Sequence, residues 1–305
     1  MTRLKIAFVG SGGAARGLAH LGVLKACEEL GIVPEIFVGA SSGALVSASY
    51  GQDIPLDVLM DGYRLPWRRR HNGPRLHVST FLGAPRLRDL FDPGYLISGL
   101  FSVDKLERYL AKLMPINDFR RMPNPIFVTA VDVDSGQRVV FGPGYIENVP
   151  VSQAVAASCC VPGLFRPYRI GDRYYLDGEV QSTLSADLAV AAGATVVIVS
   201  NVYRPEHRPP HRRSIARLGV GGVMRQSLNV LIAEKEQREI ELLTRLYPGV
   251  TFLDIAPDIG GYAYLNRFAA RGLVLRGYKT ALRALASAKE RGLFEEALLP
   301  GARPN

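Results

Sequence analysis

The chain opens on "LKIAFVG" (residues 4–10), an unbroken apolar run of the kind that a strand buried on both faces carries. Residues 15–30 follow with Leu18, Leu21, Val23, Leu24 and Leu30 at helical spacing, and the pattern stops at Gly31. "PEIFVGA" (34–40) is a second short apolar run. Strand, helix and strand in that order predict a β-α-β unit. Its right-handed crossover lays the two strands parallel and brings their carboxyl-end loops to one rim. Residues 42–50, "SGALVSASY", predict a helix of small residues leaving that rim.

The pattern weakens over residues 51–124, which are rich in Pro, Gly and Arg, with one helix predicted at 102–114 between Ser102 and Pro115. "NPIFVTAVDVDSGQRVVFG" (124–142) then predicts two strands about the turn "DSG", residues 150–158 a short helix, and "YRIGDRYYLDG" (168–178) a hairpin. "SADLAVAAGATVVIVSNV" (185–202) reads as helix, glycine stop and buried strand. A long helix at about 221–246, the strand "VTFLDIA" (250–256) and a closing helix at about 266–290 complete the order. No internal repeat and no long linker divides the chain. The expectation is one α/β domain over residues 1–305, with a largely parallel central sheet and helices on both faces.

Composition narrows the class. With 305 residues, 48% of them hydrophobic, the chain can bury a sizeable core. No apolar stretch is long enough to span a bilayer, and the first apolar run is too short for a signal peptide, so a cytoplasmic protein is expected. Cys27, Cys159 and Cys160 have neither disulfide nor zinc spacing, and no metal or cofactor is implied by them. The net charge of +9 is concentrated in a basic irregular insertion within about 51–100, containing "RLPWRRRHNGPR" (64–75), and in a basic Pro-rich loop, "YRPEHRPPHRRSIAR" (203–217). No nucleic-acid motif accompanies them. They read equally as solvated loops that keep the chain soluble, and Trp67 beside Arg68, Arg69 and Arg70 leans towards an anionic membrane interface.

Two glycine-rich turns carry the candidate chemistry. "GASSG" (39–43) ends the second strand and matches G-x-S-x-G, with Ser41 at the nucleophile position and Gly39 and Gly43 supplying the lack of bulk that so tight an elbow needs. "GSGGAARG" (10–17) lies on the same rim and opens a helix, so its N–H groups suit an anion. Gly10, Gly12 and Ala15 also fit G-x-G-x-x-G/A. A dinucleotide site, however, needs an acid at the carboxyl end of the second strand, where Gly39, Ala40 and Ser41 stand; Glu35 sits at its start. The loop therefore fits the oxyanion of an acyl transfer better than a pyrophosphate.

A serine nucleophile needs a base. His207 and His211 lie in the charged Pro-rich loop, His71 and His77 in the basic insertion, and His20 reads as a packing residue on a helix face. A carboxylate acting directly is the alternative, and pattern alone leaves Asp132, Asp134, Asp177 and Asp254 as candidates. "GYLISGLF" (94–101) is unusually apolar for an irregular region and lines an acyl site or packs in the core.

From about residue 4 to residue 290 the chain resembles the bacterial patatin-like phospholipases. "SGGAARGLAHLGVLKACEELGI" resembles that family's oxyanion segment and helix, "GASSG" its elbow, and "VTAVDVDSGQRVVF", "AVAASCCVPGLFRPYRI" and "SADLAVAAGATVVIVSNV" its middle blocks. "YLDGE" falls where the family has D-G-G or D-G-A. The resemblance implies a three-layer patatin-like fold and a Ser-Asp dyad without histidine, with Ser41 as nucleophile and Asp177 as base. It also implies an oxyanion loop of Gly12, Gly13 and Ala14 with the neighbouring Arg16, and a phospholipid or lysophospholipid substrate. Ala14 and Glu179 depart from the pattern. A catalytically silent lipid-binding relative, a nucleotide-binding α/β domain and a histidine-triad esterase stand as alternatives.

Overall fold

The computed structural model describes residues 4–62, 80, 83, 91–182, 184–262 and 269–294. The first crossover forms as the pattern requires. Strand β1 (Ile6–Gly10), helix α1 (Leu18–Leu30), strand β2 (Ile36–Ala40) and helix α2 (Ser42–Tyr50) follow one another, with β1 and β2 paired in parallel. One detail differs from expectation: residues Ala14–Gly17 wind as a 3₁₀ turn before α1 rather than as its first turn. Every residue of β1 and β2 is buried, as an apolar run without alternation predicts.

Eight strands make one sheet in the order β10–β9–β1–β2–β4–β8–β7, with β5 also paired to β4. These are β4 (Ile126–Asp132), β5 (Arg138–Phe141), β7 (Tyr168–Ile170), β8 (Arg173–Asp177), β9 (Val196–Ser200) and β10 (Thr251–Ile255). The five strands from β10 to β4 are mutually parallel, and β8 turns antiparallel to β4.

Alternate residues of the central strands feed two cores. Ile6, Phe8 and Phe37 face a core shared with α1, α2, α6 (Val151–Ser158) and α9 (Ala270–Glu290). Ala7, Val9, Ile36 and Val38 face a second core closed by α7 (Asp187–Ala191) and the inner side of α8 (Gly219–Leu246). Helices on both faces of a mostly parallel sheet give the three layers expected.

The insertion holds α3 (Leu56–Gly62), the short turn α4 (Pro93–Leu96) and strand β3 (Gly99–Phe101), which pairs in parallel with β6 (Gly163–Phe165). "GYLISGLF" is thus α4 and β3, and its Ile97 and Leu100 are exposed rather than packed in the core. Trp67 and the basic run 64–75 lie outside the described residues. Helix α5 (Asp104–Leu113) begins where predicted, with Ser102 Oγ accepting the Asp104 N–H at 3.1 Å.

Candidate active site

Strand β4 aligns the ends of two others. Its Thr129 pairs with Ala40 of β2, and its next residue, Ala130, pairs with Asp177 of β8. Both partners use one edge of β4. Pro125 O accepts from Phe37 N and Val133 N donates to Tyr174 O, whereas Asp132 N turns the other way, to Gln137 O beside β5. Since β2 runs with β4 and β8 runs against it, their carboxyl ends meet head-on. Ser41, one residue beyond Ala40, meets Asp177, the last residue of β8.

Ser41 sits in a sharp elbow at φ 52°, ψ −120°, a conformation that costs a non-glycine residue on the order of 1–3 kcal/mol. The glycines on either side make it feasible. A Cβ on Gly39 would lie 2.4 Å from Ala44 N, and one on Gly43 would lie 2.0 Å from Gly10 O. The elbow is held by Ser41 N donating to Ser158 Oγ at 2.8 Å and by Leu45 N donating to Ser41 O at 3.1 Å.

The Ser41 side chain lies next to the Asp177 carboxyl and favours its ionised form, and Asp177 Oδ1 accepts the Glu179 N–H at 3.0 Å. Both side chains are buried. Loss of water raises the Asp177 pKa to about 7, against the pull of the Glu179 N–H and the Ser41 side chain. The Cys159 thiol also contacts Ser41, and its pKa is pushed up by burial and by Asp177.

The other candidate bases are placed elsewhere. Asp132 caps its own turn, accepting from Ser135 N at 2.9 Å and pairing with Arg173 at 3.0 Å. Asp254 pairs with Arg204 at 2.7 Å, and Asp134 is exposed in the turn after β4. His207 and His211 are exposed in the Pro-rich loop, while His71 and His77 fall outside the described residues. Of the four acids only Asp177 meets the serine.

The glycine loop lies against the start of α2, close enough that a Cβ on Gly17 would sit 2.3 Å from Ser42 Oγ. His20 fixes its backbone. Nε2 lies 2.7 Å from Ser11 O, a pure acceptor, so it carries the proton, and Nδ1 accepts from Ser200 Oγ at 2.7 Å. Burial lowers the His20 pKa to about 4, which keeps the ring neutral. Gly13 at φ 136° and Ala14 at φ 50° turn the loop, so Ala14 does adopt the left-handed backbone that glycine takes more cheaply. Among the described residues the N–H groups of Gly13 and Ala14 have no acceptor.

Arg16 turns away from this loop. Its buried guanidinium donates to Tyr262 O at 2.9 Å, Gly260 O at 2.8 Å and Asn229 Oδ1 at 2.9 Å. The side chain expected to help hold an anion is instead spent tying the loop to residues 260–262 and to α8. Glu179 is the opposite case. Its Oε1 accepts the Gly12 N–H at 2.5 Å, and its Cγ lies 2.6 Å from where a Cβ on Gly12 would stand. Its Oε2 is buried without a partner among the described residues. Burial, then the buried Glu236 of α8 and Asp177, raise the Glu179 pKa well above the usual carboxylate range.

Ser158, Cys159 and Ser200 fall in the middle blocks quoted above without a role being read for them, and Asn229 and Glu236 fall in no motif. Each reaches the site through a long-range contact that one-dimensional spacing does not encode.

An elbow serine facing an aspartate at the end of an antiparallel strand, beside a glycine loop, defines a class that comparison with known proteins identifies. The model of the patatin-like phospholipases matches residues 8–190, and the chain belongs to that family. An uncharacterized NTE family protein of Mycobacterium tuberculosis is 28% identical over 199 residues, 65% of this chain and 30% of the relative. Patatin-like phospholipase domain-containing protein 6 of Mus musculus is 26% identical over 202 residues, 66% of this chain and 14% of that protein. The chain thus spans less than a third of the length of either. Among solved structures, VipD from Legionella pneumophila aligns with a TM-score of 0.48 at 14% identity, covering 93% of this chain and 67% of that one.

Proposed function

We propose that the protein is a serine acyl hydrolase that cleaves fatty-acyl esters of phospholipids or lysophospholipids through a Ser41–Asp177 dyad. The observation that carries this is the buried juxtaposition of the elbow serine and the one aspartate that the sheet register delivers to it. Family membership supports the lipid ester class. Ionised Asp177 takes the Ser41 proton as Oγ attacks the ester carbonyl, and the oxyanion is received by N–H groups of Gly12, Gly13 and Ala14. The tetrahedral adduct collapses, the leaving alcohol takes the proton from Asp177, and water then attacks the acyl-serine with Asp177 again as base. Fatty acid leaves and both residues return to their starting states.

Glu179 sets a condition on this cycle. Its carboxyl holds the Gly12 N–H in the resting site, so an incoming acyl oxygen must displace it to use that donor. Lys235 offers the displaced side chain a partner: it lies at the same rim, donates to Val180 O at 3.3 Å and is drawn electrostatically to Glu179.

A second reading is favoured by the same contact. If Glu179 never leaves, the chain is a catalytically silent lipid-binding relative. Fatty-acid release from phosphatidylglycerol and its lyso form separates the two. Turnover by the wild type that is lost in Ser41→Ala and Asp177→Asn supports the hydrolase, and no turnover by the wild type supports the silent relative. A nucleotide site is disfavoured, because Glu179 fills the space beside Gly12 where a phosphate would approach.

A further inference from the structure

Helix α8 carries an apolar stripe along its outer face, densest in its amino-terminal half. Its inner face is consistent throughout, with Gly222, Asn229, Ala233, Glu236 and Leu243 buried against the body of the protein. Outside, the first three turns present Val220, Met224 and Leu231 at 81%, 57% and 66% exposure, flanked by exposed Val223, Leu228 and Val230. Beyond them charged residues enter the line as Glu234 and Arg238, paired at 2.9 Å, before exposed Leu242 and Leu246 resume it. Spacings of three, four and seven keep all these residues on one stripe. Single exposed apolar residues are ordinary, but six together on one face mark a surface that meets something apolar.

The rim of this surface is basic. The segment entering α8 carries exposed Arg212, Arg213 and Arg217, none of which has an ion-pair partner among the described residues. By contrast Arg204, Arg208 and Arg225 are already committed to Asp254 and Glu206. An apolar centre bordered by free guanidinium groups complements the acyl region and charged headgroups of an anionic bilayer. A nucleic acid would leave the apolar centre unused. A two-fold contact between copies would bring like-charged rims together in a protein of net charge +9.

We infer that the amino-terminal half of α8, with Arg212, Arg213 and Arg217, docks the protein on an anionic lipid surface. The inner face of the same helix holds the candidate site. Asn229 accepts from Arg16, Lys235 bonds Val180 beside Glu179, and Glu236 stands behind Glu179. One helix, about 10 Å across, thus separates the docking face from the oxyanion loop. The purpose of docking rests on the lipid-hydrolase reading, but binding itself can be measured without turnover.

The test is co-sedimentation with vesicles of phosphatidylcholine alone and of phosphatidylcholine mixed equally with phosphatidylglycerol, alongside hydrolysis of soluble p-nitrophenyl butyrate. The wild type is expected to bind the mixed vesicles at least about tenfold more tightly than the neutral ones. Met224→Glu with Leu231→Glu is expected to lose that binding, and Arg212→Glu with Arg213→Glu and Arg217→Glu to lose the anionic preference. Both variants should keep the wild-type rate on the soluble ester, which also shows that they fold. Undiminished vesicle binding by the Met224/Leu231 variant overturns the inference. So does a wild-type dimer in solution that this variant dissociates, because the face would then be an interface between copies. Vesicle binding without ester hydrolysis by any form contradicts the dyad while leaving the docking surface intact.

Discussion

Asp177 carries the clearest consequence of burial at the scale of single residues. Only its ionised form can take the Ser41 proton, and its pKa is raised to about 7. Ester hydrolysis should therefore be weak in mild acid, rise as pH passes through about 7 and level off above it; a flat profile between pH 5 and 8 in a pH series of kcat/KM would contradict this base, given an ordinary carboxylate pKa of about 4. Glu179 makes a second prediction. Glu179→Ala frees the Gly12 N–H and should raise the rate at which a fluorophosphonate labels Ser41 by about tenfold, equivalent to roughly 1.4 kcal/mol. Glu179→Gln keeps an acceptor on Gly12 and should stay slow. Equal rates in all three proteins would show that the contact does not gate the loop. Ser41 itself was legible from five residues, because the elbow's steric demand is written in Gly39 and Gly43. Arg16 was not, since nothing in its spacing tells a guanidinium facing an anion from one facing Gly260 and Tyr262.

Among the elements, the first crossover and its two turns could be read directly, because local periodicity and glycine placement determine them. The pairing of β3 with β6 could not, being a contact across more than sixty residues between three-residue strands. The joint between β1, the glycine loop and α1 depends on neutral His20 and yields a pH test of stability. Its pKa is about 4 in the fold against 6.5 in the unfolded chain, so the unfolded state gains a proton first as pH falls. The contribution, of order 3 kcal/mol, is complete above about pH 6.5 and is lost on acidification towards pH 4. His20→Ala should be less stable at neutral pH and show a shallower loss over that window in chemical denaturation. The α1–α9 contact makes a steric prediction. A Cβ on Gly22 would lie 2.0 Å from Val274 O, and one on Gly277 would lie 2.1 Å from Ala19 O. Gly277→Val should lower unfolding free energy by about 3 kcal/mol or more by forcing the helices apart.

Over the whole molecule, the sheet order makes a site from parts far apart in the chain. Ser41 ends a parallel strand and Asp177 ends an antiparallel one, and they meet because both strands share an edge of β4 at adjacent residues. No periodicity shows that, so the residues alone left four acids open as base, and family resemblance singled out Asp177. The three-layer class was legible because alternating strands and helices have few other solutions. Charge was legible as an amount but not as a shape: the free arginines border an apolar face of α8 that only the folded chain exposes. Among the described residues no helix is long and apolar enough to cross a membrane.

The pairing of Ser41 with Asp177 is tested most directly by mass-resolved labelling with a fluorophosphonate, followed over time in wild type, Ser41→Ala and Asp177→Asn. A single adduct on the peptide containing Ser41 is expected in the wild type, none in Ser41→Ala, and labelling at least about a hundredfold slower in Asp177→Asn, the lower range for loss of a general base. An adduct on another residue, or an undiminished rate in Asp177→Asn, would contradict the dyad.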